Sequence, residues 1–168
     1  MWTDGNGNFV FGDSPGPAWH TPSNSEMVVY ATKQLTQTKS SQGNDIRQGC
    51  TEYIQSTPFQ SNALGSSHNY DCRDIDQLNI LVRLEITEDN TSTQSIWASD
   101  GTSYVMTPHT HAQLIQVVSD MNAFILSAQN RCAVFIGQVT AVDIPSYTDI
   151  TLDEINTAVA QIKSIVWQ

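Results

Sequence analysis

The stretch AQLIQVVSDMNAFILSAQNRCAVFIGQVTA, residues 112–141, decides the fold because its apolar residues keep a helical rhythm. Apolar or small residues recur in alternating steps of four and three, an unbroken heptad over more than three repeats. They are Leu114, Val118, Met121, Ile125, Ala128, Cys132, Phe135 and Val139. Only Asp120 and Arg131 are charged in this stretch, so we expect a long helix that is packed on more than one side.

A second amphipathic helix is predicted after a turn around Pro145. Thr151 and Glu154 have the spacing of a capping box, and Ile150 and Ile155 have that of a hydrophobic staple. The helix then presents apolar residues in steps of three and four, namely Leu152, Ile155, Val159, Ile162 and Val166. The short connection favours an antiparallel helical hairpin. We predict that the heptad residues, with Ile155, Val159 and Ile162, form an oligomer interface.

Two shorter helices are predicted upstream, over residues 44–56 and 74–86, from apolar residues at helical spacing. In the second, the residues expected to be buried are Ile75, Leu78, Leu81 or Val82, and Leu84 or Ile86. Residues 23–41 begin with a capping-box spacing and then lose their apolar rhythm, which predicts a weak helix or a loop. Residues 57–72 are predicted to be loop.

Two β-hairpins are predicted. The segment 97–106 carries an Asp100-Gly101 turn with aromatic and aliphatic residues on both sides. The other hairpin is formed by a DGNG turn near the start of the chain, in an arm over positions 1–25 that is too rich in proline for a packed helix. The arm carries Trp2, Phe9, Val10, Phe11 and Trp19, and we predict that these residues dock on a partner. The alternative docking surface is the hairpin around Trp97.

The predicted architecture is mainly α: a helical domain that ends in a long antiparallel helical hairpin, with one or two small β-hairpins and an extended N-terminal arm. The arm or docking segment is assigned to residues 1–40 and the helical domain to residues 41–168.

Composition restricts the partners. The chain has 7 basic and 17 acidic residues, a net charge of −10, and no basic cluster, so we expect no nucleic-acid partner and no anionic membrane surface. The sequence contains no run of about 18 apolar residues, so no membrane-spanning helix is predicted. The start of the chain lacks the pattern of a signal peptide, which predicts synthesis in a cytoplasm. Charged residues make up only 14 %, where about 25 % is usual, and a neutral polar surface suits burial in an assembly.

His109 and His111, two positions apart, are the first candidates for a metal site. Thr107 as N-cap with Pro108 at the first helical position places both histidines at the start of the long helix, and a capping box from Thr110 to Gln113 is the alternative. Two helical residues two apart point in opposite directions and cannot share a metal. An extended segment would let them converge, with His20 or His68 completing the site. We expect helix-entrance residues, no metal and no other cofactor.

Catalytic patterns are weak throughout. The sequence has no GxSxG, HExxH, P-loop or GxGxxG motif. Cys72 near His68 has no residue to orient the base, and the Asp74 and Asp76 pair suits a helix start. Three distant cysteines without a CxxC favour buried reduced thiols over a disulfide framework or a zinc ribbon. We therefore expect a protein that is not an enzyme.

From about residue 40 to its end, the chain resembles a phage domain of unknown function. The resemblance rests on NDIRQGCTEYIQ (44–55), FQSNALGSSHNYDC (59–72), DIDQLNILV (74–82), WASDGTSYVMTPHTHAQLIQVVSDM (97–121) and the final helix after DITLDEI (149–155). That family is common in tail-fibre, fibre-associated and fibre-assembly proteins, and its elements occur in the same order. The predicted arm, positions 1–40, lies outside the resemblance.

The resemblance implies a structural protein of the phage virion, a fibre- or baseplate-associated attachment or adaptor component of the tail that is made in the host cytoplasm. Its expected partners are other phage tail or fibre proteins and copies of itself, with a trimer favoured. The alternative is a tail-fibre assembly chaperone, which binds folding fibre chains and then leaves. The family offers no catalytic residues to carry over.

Overall fold

A computed structural model gives the structure of the chain and describes residues 1–12, 15–16, 18–87, 92–144 and 146–168. The described residues form four α-helices and two antiparallel sheets, of two and four strands. The fold is mixed α/β, so the prediction of a mainly α chain with one or two small hairpins is wrong. Strands formed in a segment predicted to be loop, and the long hairpin joins them in one sheet.

Two compact units divide the chain: residues 1–46 with 134–168, called unit 1 here, and residues 47–133, called unit 2. The predicted division at residue 40 is a different one, and it stays a prediction about which part folds alone.

The N-terminal arm is a hairpin in unit 1. Strand β1 (Trp2–Thr3) pairs with β2 (Phe9–Val10), and the Trp2 indole N–H donates to the Gly12 carbonyl at 2.8 Å. Thr3 is fully buried and forms a backbone bridge with His20. The Phe9 ring lies 4.6 Å from that of Tyr30, so the arm packs against its own chain.

Helix α1 (Asn24–Ser56) is one continuous helix of 33 residues. Of the two predictions for residues 23–41, a weak helix or a loop, the loop is therefore wrong. The predicted capping box forms, because the Ser23 N–H donates to Glu26 Oε2 at 2.8 Å and the Glu26 N–H donates to Ser23 Oγ at 3.4 Å. Buried residues recur at Met27, Ala31, Leu35, Ile46 and Cys50. The middle of this stripe is polar, which hid it from the apolar pattern.

Unit 2 contains a sheet in the order β3-β4-β5-β6, with every neighbouring pair antiparallel. The strands are β3 (Phe59–Ser61), β4 (His68–Tyr70), β5 (Thr93–Ser99) and β6 (Tyr104–Thr110). The first two lie in the segment predicted to be loop. The hairpin at Asp100-Gly101 is confirmed and longer than predicted, and Gly101 has a φ of 99° that favours glycine there.

Helix α2 (Asp74–Glu85) precedes this hairpin, and α3 (His111–Ala141) follows it. Thr107 and Pro108 lie inside β6, so the predicted helix opening at these residues is wrong. The alternative capping box forms instead, because the Thr110 N–H donates to the Gln113 side chain at 2.8 Å. Helix α3 packs with the sheet and α2 around one apolar core, which includes Phe59, Tyr70, Ile80, Ile96, Leu114 and Met121.

Helix α4 (Leu152–Ser164) closes unit 1 with the predicted capping box between Thr151 and Glu154. Asn24 accepts from the Ile150 N–H at 3.0 Å, and the Gln42 amide donates to the Ile165 carbonyl at 2.8 Å. Helix α4 therefore runs beside α1 in the same direction. The predicted turn around Pro145 falls outside the described residues.

Candidate docking surface

The outer face of α2 is apolar. Five side chains expose 45–57 % of their surface: Ile75, Leu78, Leu81, Val82 and Ile86, the last at the C-cap. They fall on one side of the helix, since residues three and four apart are neighbours. Ile80 is buried and Leu84 half-buried on the opposite side. The prediction that Ile75, Leu78 and either Leu81 or Val82 are core residues is therefore wrong. Of the two alternatives for the last position, Leu84 packs inward and Ile86 is exposed.

The hairpin β5–β6 adds a second group of exposed apolar side chains. Trp97 and Met106 are partners in register across the two strands, and they are 57 % and 47 % exposed. Ile96 and Ala98, on either side of Trp97, are buried because successive strand residues point to opposite faces. Tyr104 and Val105 are also exposed on β6, which is an edge strand of the sheet.

A cleft of about 140 Å³ joins the two groups. Its lining residues come from the start of α2, from α2 itself and from the hairpin: Asp71, Asp76, Asn79, Ile80, Arg83, Ser95, Ile96, Trp97 and Met106. Pockets for drug-sized ligands are about 300–1,000 Å³, so this cleft fits one or two side chains of a partner better than a metabolite. We call the five exposed α2 residues, Trp97, Met106 and this cleft the docking surface.

Polar contacts hold the two parts of the docking surface together. At the start of α2, the Arg73 guanidinium donates to Asp76 at 2.7 Å and to Asp71 at 3.3 Å, and the links to the hairpin come from Asp71 and Arg83. Burial raises the pKa of Tyr104 to about 12, and its hydrogen bond to Asp71 acts in the same direction. The Tyr104 hydroxyl is therefore protonated at neutral pH and links the hairpin to the chain before α2. Arg83 makes a second link, because its Nη1 donates to Gln94 Oε1 on β5 at 3.2 Å.

The two candidate metal ligands have separate roles. His109 lies in β6 and is fully buried, with Nδ1 2.8 Å from the Thr107 carbonyl and Nε2 2.9 Å from the Tyr70 hydroxyl. Nδ1 must carry the proton to donate to a carbonyl, so Nε2 accepts from Tyr70. Burial lowers the pKa of His109 and raises that of Tyr70 to about 12, so both groups are neutral.

His111, the first residue of α3, directs its Nδ1 to the Thr87 carbonyl. The two rings thus bond to carbonyls on different segments, Thr107 within β6 and Thr87 after α2. Within the described part of the chain, no three His, Cys, Asp or Glu side chains are grouped as metal ligands would be.

The predicted oligomer-interface residues are covered within a single chain. Leu114, Met121, Ala128, Cys132, Val139, Ile155 and Ile162 are buried, and Val118, Ile125, Phe135 and Val159 are half-buried. Their heptad spacing reflects packing inside each unit. Whether copies of the chain associate stays a prediction, and it would need other side chains for most of the contact.

The predicted docking arm is partly covered as well. Trp2, Phe9, Val10 and Trp19 are half-buried, and Phe11 is exposed. The α2 face was not among the predicted docking surfaces, whereas the hairpin around Trp97 was the predicted alternative. The sequence did contain a signal for this surface. The segment 75–86 has aliphatic residues on all sides of the helix, and one buried face cannot cover all of them.

Comparisons with protein-family models, with curated proteins and with solved structures found no match. None of the helices, over the described residues, is long and apolar enough to cross a membrane.

Proposed function

We propose that this protein is a structural component of a bacteriophage tail that attaches to another tail or fibre protein through its docking surface. The observation that carries the attachment is the outer face of α2, where five aliphatic side chains are about half exposed. Monomeric soluble proteins rarely expose contiguous apolar patches of this kind unless a partner covers them. The assignment to a phage tail rests on the order of motifs from residue 44 to residue 155.

The energetics favour a contact that uses both α2 and the hairpin. Covering the exposed halves of five aliphatic side chains contributes on the order of 5 kcal/mol. Association costs about 4–15 kcal/mol in lost translational and rotational freedom, so the α2 face alone gives a weak complex. Trp97 and Met106 supply the additional area, and tryptophan is enriched among the residues that dominate interface energy.

A matched pair of substitutions tests the surface. Val82→Asp places a carboxylate on the α2 face, and Val134→Asp makes the same change on α3 at a position that is also exposed, at 60 %. Both variants are expected to fold with melting temperatures close to that of the wild type. Recovery in purified particles of the encoding phage is expected to fall about tenfold or more for Val82→Asp and to stay unchanged for Val134→Asp.

The same particles separate the candidate functions. A structural component is detected in purified particles at a fixed ratio to known tail proteins. A tail-fibre assembly chaperone is absent from them and binds newly made fibre chains in infected cells. Equal recovery of the two aspartate variants would place the attachment elsewhere, and absence of the wild-type chain from particles would refute the structural role.

A further inference from the structure

Two of the three cysteines lie against each other in unit 2. Cys50 on α1 and Cys132 on α3 are 6 % and 9 % exposed, and burial and then the neighbouring Cys132 thiol raise the pKa of Cys50. The Cys50 thiol also lies 3.6 Å from the Ala128 carbonyl. Since Ala128 stands one helical turn before Cys132, Cys50 rests on the turn of α3 that carries the second thiol.

The third cysteine shows what an inert buried thiol looks like in this fold. Cys72 is 1 % exposed and packs among apolar side chains of the unit 2 core. Burial raises its pKa to about 11. A buried cysteine usually acts as a small apolar residue, and Cys72 fits that description. Cys50 and Cys132 differ from it because each has a second thiol as its neighbour.

We propose that Cys50 and Cys132 are a redox-sensitive dithiol, which a small hydroperoxide converts into an intramolecular disulfide that links α1 to α3. The two positions are far apart in the sequence, so the bond would close a large loop across unit 2. A dithiol reductant would reverse the reaction.

Cys132 is the more exposed of the two residues, so we expect hydrogen peroxide to react with its thiol first. Its thiolate attacks one peroxide oxygen and the O–O bond breaks, which leaves a sulfenic acid on Cys132 and a hydroxide that takes up the thiol proton as water. The Cys50 sulfur then attacks the Cys132 sulfur, the S–S bond forms, and the sulfenic oxygen leaves as a second water with the Cys50 proton. Two thiols and one peroxide thus give one disulfide and two waters.

The surroundings favour this division of roles. Burial raises the pKa of Cys50, and the neighbouring Cys132 raises it further, so Cys50 is a poor first nucleophile and suits the second, resolving step. The sulfur of a Cys132 sulfenic acid is electrophilic, so a second thiol can attack it. Cys50 then attacks a sulfur on the turn of α3 whose Ala128 carbonyl its own thiol contacts.

The test is oxidation of the folded full-length chain with hydrogen peroxide, followed by alkylation, tryptic digestion and mass spectrometry. Cleavage after Arg47, Arg73, Arg131 and Lys163 places Cys50 and Cys72 together on residues 48–73, and Cys132 on residues 132–163. A cross-linked pair of these peptides is therefore ambiguous in the wild type. The Cys72→Ala variant removes the ambiguity, because the cross-link can then join only Cys50 to Cys132.

Sulfoxidation of Met106, whose side chain is 47 % exposed, measures the oxidant dose in the same sample. We expect the intact mass to fall by about 2 Da as two thiols become a disulfide, and both thiols to disappear together before Met106 is half oxidised. Cys72→Ala keeps the reaction, and Cys132→Ala abolishes it.

Oxidation of denatured protein is the control that shows whether the fold selects the cysteine pair. An unfolded chain favours the disulfide that closes the shorter loop, which joins Cys50 to Cys72. The proposal is overturned if the two thiols stay free after Met106 is fully oxidised. It is also overturned if Cys132 accumulates as sulfinic acid or in disulfide-linked dimers instead.

Discussion

The wild-type protein is expected to lose stability as the pH falls below 6.5, and replacing His109 with glutamine is expected to remove that loss. His109 is fully buried, its Nδ1 proton is donated to the Thr107 carbonyl and its Nε2 accepts from Tyr70. Protonation would place a proton between Nε2 and the Tyr70 oxygen and a charge in the core. The glutamine carbonyl can still accept from the Tyr70 hydroxyl, but the side chain does not titrate.

The sign and size follow from linkage. Burial, the larger cause, and the neighbouring His68 lower the pKa of His109 in the folded protein below its ordinary value of 6.5. Below pH 6.5 the unfolded chain therefore binds a proton that the folded protein does not, and the free energy of unfolding falls as pH falls. One such group lowers the free energy of unfolding by at most about 1 kcal/mol between pH 6.5 and pH 5.5.

Urea unfolding at pH 7.5, 6.5 and 5.5 measures this difference. The quantity compared is the change in unfolding free energy with pH, so a lower overall stability of His109→Gln does not affect the result. His68→Gln, at a half-buried position, removes the neighbouring histidine but leaves His109 buried, and it is the matched control. It is expected to keep most of the wild-type dependence. If His109→Gln and the wild type lose stability in parallel over this range, the assignment of a neutral buried imidazole is refuted.

Two further substitutions test the packing of the helices. Thr151→Ala removes the hydroxyl that accepts from the Glu154 N–H at 3.3 Å, and it is expected to lower the free energy of unfolding by about 1 kcal/mol. An unchanged midpoint of urea unfolding would contradict a contribution of the cap to stability. Ile125→Asp places a carboxylate against the unit 2 core and is expected to lower the free energy of unfolding by about 3 kcal/mol or more. The measurement is the melting temperature of dilute protein, which is expected to fall strongly. A loss of association without a fall in melting temperature would instead favour the predicted oligomer interface.

Local signals in the sequence predicted the elements that local interactions define. The capping boxes at Ser23 and Thr151 form as their spacing predicts, and so does the Asp100-Gly101 turn. Helix α3 covers the predicted stretch because an unbroken heptad from Leu114 to Val139 leaves few alternatives to a helix. These features depend on residues at most four positions apart.

The features that the sequence analysis missed depend on distant partners. The apolar rhythm of α1 breaks in the middle of the helix, where the half-buried Gln42 donates its amide to the carbonyl of Ile165, 123 positions later. Strands β3 and β4 have three residues each, too short for a period of two to show. Phe59 and Tyr70 are held there by pairing with one another across the strands.

The orientation of α2 could not be read from its sequence because its aliphatic residues surround the helix. The sheet and α3 offer room for one face, and Ile80 and Leu84 fill it. The other aliphatic residues then remain about half exposed on the outer face, outside the unit 2 core. This excess is the physical basis of the proposed docking surface.

The charges beside that face set a condition on its partner. Asp71, Asp74 and Asp76 cluster at the N-terminal end of α2, and Arg73 is already paired with two of them. A partner segment that covers Ile75 would bring its own side chains next to these carboxylates. Acidic side chains there would be repelled as the contact loses water, whereas a lysine or an arginine would gain a neighbour. The proposed partner therefore presents apolar side chains to α2 and neutral or basic ones to its first turn.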